Sequence, residues 1–79
     1  AALAQAMTDG VAPGSDRADA LAEQHRAGIE RFYDCDHAMQ VNLAEMYLAD
    51  NRFRRHYDDV APGLAQYVRD VIVANAEKQ

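Results

Sequence analysis

Residues 62–76 read PGLAQYVRDVIVANA, and Leu64, Tyr67, Val68, Val71 and Ile72 recur there at steps of one, three and four, with Asn75 closing the row. That spacing puts all six on one face of an α-helix. Pro62 suits the first helical position, where its missing N–H costs nothing, with Gly63 behind it. A stripe this regular needs cover from other elements, and the residues upstream have to supply it.

They read as helices too. Residues 1–9 look like the end of a helix, with Leu3 and Met7 four apart and Gly10 as its stop. Residues 10–15, GVAPGS, have the composition of a flexible linker, so the expected division is 1–15 as helix end plus linker and 16–79 as core. Ser15 is a good N-cap for a helix from about Asp16 to Phe32, with Asp16 and Asp19 in its first turn. Its stripe is Ala18, Leu21, Ala22, Ile29 and Phe32, with His25 inside it, and Gly28 leaves room for another element to approach. A third helix runs to about Ala49, capped by Asp34 or Asp36. Met39, Leu43, Met46 and Tyr47 form one apolar face and His37, Val41, Ala44 and Leu48 another, which predicts a central helix covered on both sides. Asp50 or Asn51 caps a short helix with Phe53, His56 and Tyr57. No segment alternates with period two, so the expected class is all-α with five helices. The expected core is Met39, Leu43, Met46, Tyr47, Leu64, Val68 and Val71.

Composition narrows the function. The chain has 79 residues, room for one domain, and 49% hydrophobic residues, many of them alanine. A net charge of −5 and a pI of about 4.9 oppose binding to a phosphate backbone by this segment itself. No apolar run approaches the roughly 18 residues that suggest a membrane span. The opening AALAQAM lacks an initiator Met and enters mid-pattern, as expected of a piece cut from a longer protein, and a single cysteine fits a reducing, cytoplasmic setting.

The densest chemistry is Tyr33-Asp34-Cys35-Asp36-His37. With Cys35 in the first turn of the third helix, the helix N-terminus favours its thiolate while Asp34 and Asp36 oppose it. A metal site is disfavoured, because residues two apart on a helix point to opposite sides and no second cysteine or His pair at i, i+4 exists. No nucleophile paired with a base stands out, so nothing supports an enzyme. No cofactor is expected. His25 reads as a core histidine with one hydrogen-bond partner, and Met39 and Met46 are adaptable enough to line a pocket.

The stretch 23–76 resembles the TipAS-type antibiotic-recognition domain of MerR-type transcription activators. The landmarks are His25-Arg26 with Gly28-Ile29, Tyr33-Asp34-Cys35, Glu45-Met46-Tyr47, Asp50 with Arg52-Phe53, Pro62-Gly63-Leu64, Tyr67, Arg69-Asp70 and Ala74-Asn75-Ala76. The resemblance implies a globin-like fold without haem, serving as the C-terminal effector half of a regulator whose DNA-binding half and dimerising coiled coil lie elsewhere. It implies a cleft for thiopeptide-type, hydrophobic drug-like compounds and a covalent role for the cysteine at Cys35. It also implies N-terminal helices that close over the ligand. The group extends to the SkgA and Mta regulators, tied to stress response and multidrug efflux, and the expected branch is that of SkgA. The thiopeptide-binding pattern has a glycine after the cysteine where this chain has Asp36, and an aromatic where it has His37.

The expected function is therefore ligand sensing for a transcriptional activator. Tyr33, Asp34, Cys35, Asp36, His25 and Met39 are the ligand-binding candidates, and Cys35 is the candidate for covalent attachment. DNA would be reached through the missing N-terminal domain and RNA polymerase indirectly, from a homodimeric full-length protein whose effector domain is itself monomeric. A redox sensor using Cys35 and a purely structural interaction module are the alternatives.

Overall fold

In the computed structural model, which describes residues 2–79, five helices follow one another: α1 (Ala2–Thr8), α2 (Asp16–Glu30), α3 (His37–Ala49), α4 (Asn51–Val60) and α5 (Leu64–Ala76). There is no strand among the described residues, and no helix is long and apolar enough to cross a membrane. The all-α expectation with five helices holds.

The hub is α5, against which the other four helices pack. Its predicted stripe is buried at Leu64, Val68, Val71, Ile72 and Asn75, with Ala65 beside it. One cluster joins Leu64, Val68 and Ile72 to Ala44 of α3, with Val41, Tyr57, Leu3 and Met7 around it. A second joins Val71 to Ala18 and Ala22 of α2. Alanine at both α2 contacts lets the helix backbones lie close, so the alanine-rich composition becomes a tight helix pairing rather than a large apolar volume.

The central-helix expectation for α3 is overturned. α3 buries only the face carrying Gln40 and Ala44, with Val41 partly covered. Met39 (37% exposed) and Met46 (62% exposed) lie on its outer side and are not core. Leu43 and Tyr47 are half-buried. Both faces of α3 are apolar, but α5 takes one and no element among the described residues covers the other fully.

The caps are set by side chains. Ser15 Oγ accepts from the Ala18 amide, Asp36 Oδ1 from the Met39 amide at 2.8 Å and Asp50 Oδ1 from the Arg52 amide at 2.9 Å. Pro62 is not the first residue of α5. Pro62 and Gly63 occupy a turn closed by the Leu64 amide on the Ala61 carbonyl, with Gly63 at φ 83°, as a type II turn requires. Asp58 Oδ1 then accepts from the Ala65 amide, satisfying a free donor of the new helix.

The GVAPGS stretch, expected to be a flexible linker, is tied at several points. The Val11 amide donates to the Ala6 carbonyl, Tyr67 Oη donates to the Val11 carbonyl at 2.7 Å, and Lys78 Nζ donates to the Gly14 carbonyl. Ala6 is fully buried, and Arg17 pairs with Asp9 across the turn.

Candidate functional site

α2 stops at Glu30, short of the expected Phe32, and the Phe32 and Tyr33 amides both fold back onto the Ile29 carbonyl. The chain then continues without helix to Asp36, the α3 cap, whose backbone is extended. Cys35 therefore lies before the cap and outside the first turn, so the expected helix-terminus stabilisation of its thiolate does not apply. Its side chain turns inward and is 1% exposed. Arg26 Nη1 holds the loop by donating to the Cys35 carbonyl at 3.0 Å.

Burial is the main cause that pushes the Cys35 thiol up, with Glu30 adding to it, Arg26 opposing and Asp36 contributing least. Glu30 thus takes the part expected of Asp34, whose side chain stands exposed. Burial therefore favours the neutral thiol over the thiolate.

The loop is braced from below by a polar network. Glu23 accepts from Arg26, from His37 Nε2 at 2.9 Å and from Asn75 Nδ2 at 2.9 Å. These bonds join α2, α3 and α5. The Arg26 hydrogen bond is the largest influence holding the Glu23 carboxyl below its ordinary value, ahead of those from Asn75 and His37, and burial works against all three.

The six candidate residues fall on two adjoining depressions. Asp34, Cys35, Asp36 and Met39 border one, together with Arg26 and Glu30. His25 and Tyr33 border the other, a groove between α2 and α3 with Ile29, Phe32 and Tyr47. The expectation that Gly28 admits a packed neighbour is overturned: nothing lies within 4 Å of where its Cβ would be, and Gly28 opens onto the groove.

The groove is an aromatic surface. Phe32 is 85% exposed and Tyr33 is exposed beside it, while the Tyr47 ring lies 4.8 Å from that of Phe53. Those rings continue the surface onto α4, where Phe53 borders a shallow hollow with Arg52 and His56. Ile29, Phe32, Tyr47 and Phe53 were not anticipated as site residues, since apolar residues at helical spacing read as core. The available signal was α3 itself, apolar on two faces in a chain too short to cover both.

His25 sits at the groove's inner edge, half-buried, and burial lowers its pKa. Its Nδ1 lies 3.0 Å from Gln40 Nε2, the single partner expected of it. Among the described residues, no three His, Cys, Asp or Glu side chains gather as metal ligands would.

The sequence matches the TipAS antibiotic-recognition domain over residues 1–75. It is 49% identical over 71 residues to the HTH-type transcriptional activator TipA of Streptomyces coelicolor, covering 89% of this chain and 28% of that protein. TipA of Streptomyces lividans matches to the same extent. The chain thus spans little more than a quarter of those relatives. A solved structure, the antibiotic binding domain of a TipA-class multidrug resistance transcriptional regulator, superposes with a TM-score of 0.82 at 44% identity, covering 96% of this chain and 82% of that one. In sequence and in fold alike, this chain belongs to the TipAS antibiotic-recognition domain family.

Proposed function

We propose that this chain is the ligand-sensing effector domain of a transcriptional activator, and that its ligand is a hydrophobic, drug-like compound of the thiopeptide type. The observation that carries the reading is the groove between α2 and α3. Phe32 and Tyr33 expose aromatic surface that no part of the core requires, with the half-buried Tyr47 ring beside them and His25 at the polar edge. A contiguous apolar patch with a few polar groups at its margin is the usual character of a small-molecule site. The relatives' descriptions, an HTH-type activator and an antibiotic binding domain, agree with it.

In this reading Tyr33, Asp34, Cys35, Asp36, His25 and Met39 contact the ligand, joined by Phe32 and Tyr47. Cys35 meets an electrophile only after the 31–36 loop opens, because the folded loop seals the thiol. That burial also weighs against Cys35 as a freely oxidised sensor. DNA is contacted by a separate segment of the full-length protein, since the charge here is −5. The full-length protein works as a cytoplasmic homodimer that acts on RNA polymerase indirectly, and this domain catalyses nothing. Ligand binding transmits a signal to the extent that it favours one arrangement of residues 2–14 over another.

Titration of the ¹⁵N-labelled chain with the thiopeptide thiostrepton tests this. Amide shifts concentrated at 24–36 and 43–50 are expected. Saturating shifts confined to a separate depression bordered by Val41 of α3 and Val73 of α5, or no shifts at all, contradict it.

A further inference from the structure

Gln40 is a polar residue with no exposed surface, placed where α3 faces α2. Its Nε2 donates to the Ala22 carbonyl at 2.8 Å and lies 3.0 Å from His25 Nδ1. The carbonyl fixes which end of the amide faces α2, because turning the amide over would set two acceptor oxygens against each other. Both Nε2 hydrogens are then committed, one to Ala22 and one to His25. Its Oε1 is buried with no protein partner.

This orientation has a chemical consequence at His25. An Nδ1 that accepts a hydrogen bond carries no proton, so the proton of the neutral ring sits on Nε2. His25 Nε2 makes no hydrogen bond to the described residues and is not among the sealed polar atoms. His25 borders the aromatic groove with Ile29, Phe32, Tyr33 and Tyr47. We infer that Gln40 locks His25 as the Nε2–H tautomer and so provides the groove with a fixed hydrogen-bond donor, which selects planar aromatic ligands carrying a ring-nitrogen or carbonyl acceptor at their edge.

The inference rests on the proposed ligand groove and sharpens it. Gln40 is a positioning residue, acting only through His25. A site that presents a donor discriminates against the analogue lacking the acceptor, because the donor then loses water without replacement. An aromatic surface with one fixed donor therefore prefers a nitrogen heterocycle to the matching hydrocarbon.

Two measurements on the whole chain decide it. Long-range ¹H–¹⁵N correlation of the His25 ring at pH 7.5 is expected to show an unprotonated Nδ1 and a protonated Nε2, and this readout needs no ligand. The Gln40→Met chain is expected to show more of the Nδ1–H form than the parent while keeping its helical circular dichroism. An Nδ1–H ring in the parent overturns the inference whatever the groove binds. If Gln40→Met fails to fold, the parent spectrum still decides. The second measurement compares quinoline with naphthalene by amide shift per unit concentration at residues 25–33. Quinoline is expected to bind about fivefold more tightly, the ratio one neutral hydrogen bond of typical net strength supplies. His25→Phe is expected to remove the preference. Equal binding of both overturns the fixed donor and leaves the groove standing. Binding of neither removes the groove reading together with the selectivity built on it.

Discussion

Tyr67→Phe deletes one oxygen and tests how residues 2–14 are held. Tyr67 Oη donates to the Val11 carbonyl at 2.7 Å, joining positions 56 apart in sequence, while the ring packs against both core clusters. Phenylalanine keeps the ring contacts and removes only the hydrogen bond. A neutral bond of this kind contributes about 0.5–1.5 kcal/mol net, and the Val11 carbonyl, only partly buried, can turn to water once it is lost. Global stability is then expected to fall by about 1 kcal/mol, a noticeable part of the roughly 5 kcal/mol available to so small a domain. The local effect is more diagnostic. If this bond helps dock the segment, hydrogen-exchange protection at residues 6–11 is expected to drop about 2- to 13-fold, the factor that 0.5–1.5 kcal/mol gives at 25 °C. Protection within α5 should fall no further than the global change allows. Unchanged protection at residues 6–11 would refute the claim that this contact docks the N-terminal segment.

The remaining expectations concern the core, the thiol and pH. Ile72→Ala, at a buried α5 position, is expected to cost about 2–5 kcal/mol in urea unfolding, against less than about 0.5 kcal/mol for Met46→Ala on the exposed face; comparable losses would put Met46 back in the core. Cys35 is expected to react with a maleimide far more slowly than an unfolded cysteine peptide, with Glu30→Gln speeding it modestly by removing the carboxylate that opposes the thiolate most. A parent rate equal to the peptide's would show that the loop does not seal the thiol. Glu23 is held below its ordinary value, so the unfolded chain takes up that proton first. Its contribution is full above about pH 4.5 and disappears as pH falls through the folded-state value; Glu23→Gln should flatten that acid-side loss, and an equally steep loss in the variant argues against the network.

Much of the fold was legible because local chemistry and burial agree. The α5 stripe, the Ser15 and Asp36 caps and the Gly10 stop each follow from one residue type meeting one backbone need. What failed was the choice between alternatives that periodicity treats alike. α3 is apolar on two faces, and only the arrangement of the other helices decides that Ala44 goes inward and Met46 outward. Gln40 belongs to neither apolar face of α3, yet it is sealed because the Ala22 carbonyl and His25 offer it partners. At Pro62, a type II turn with Gly63 in the left-handed region competes with the helix start, and the turn wins. Of the candidate site, the polar residues of 33–37 stand out in the sequence but the aromatic groove beside them does not, since Phe32 falls at helical spacing in the expected α2 stripe and only the packing leaves it exposed. The place of Cys35 before the cap, and hence its burial, depends on a shift of two residues, with Asp36 rather than Asp34 as cap.

Phe32 allows the central claim to be tested with little interference from stability, because the residue is 85% exposed and belongs to neither core cluster. The measurement is the dissociation constant of thiostrepton for the parent and for Phe32→Ser, with thermal melts of both. The account predicts matching melts and an affinity loss of about tenfold or more, the order expected when an aromatic contact of about 1.5–3 kcal/mol is removed from a binding groove. Unchanged affinity in a Phe32→Ser chain that melts like the parent would contradict it.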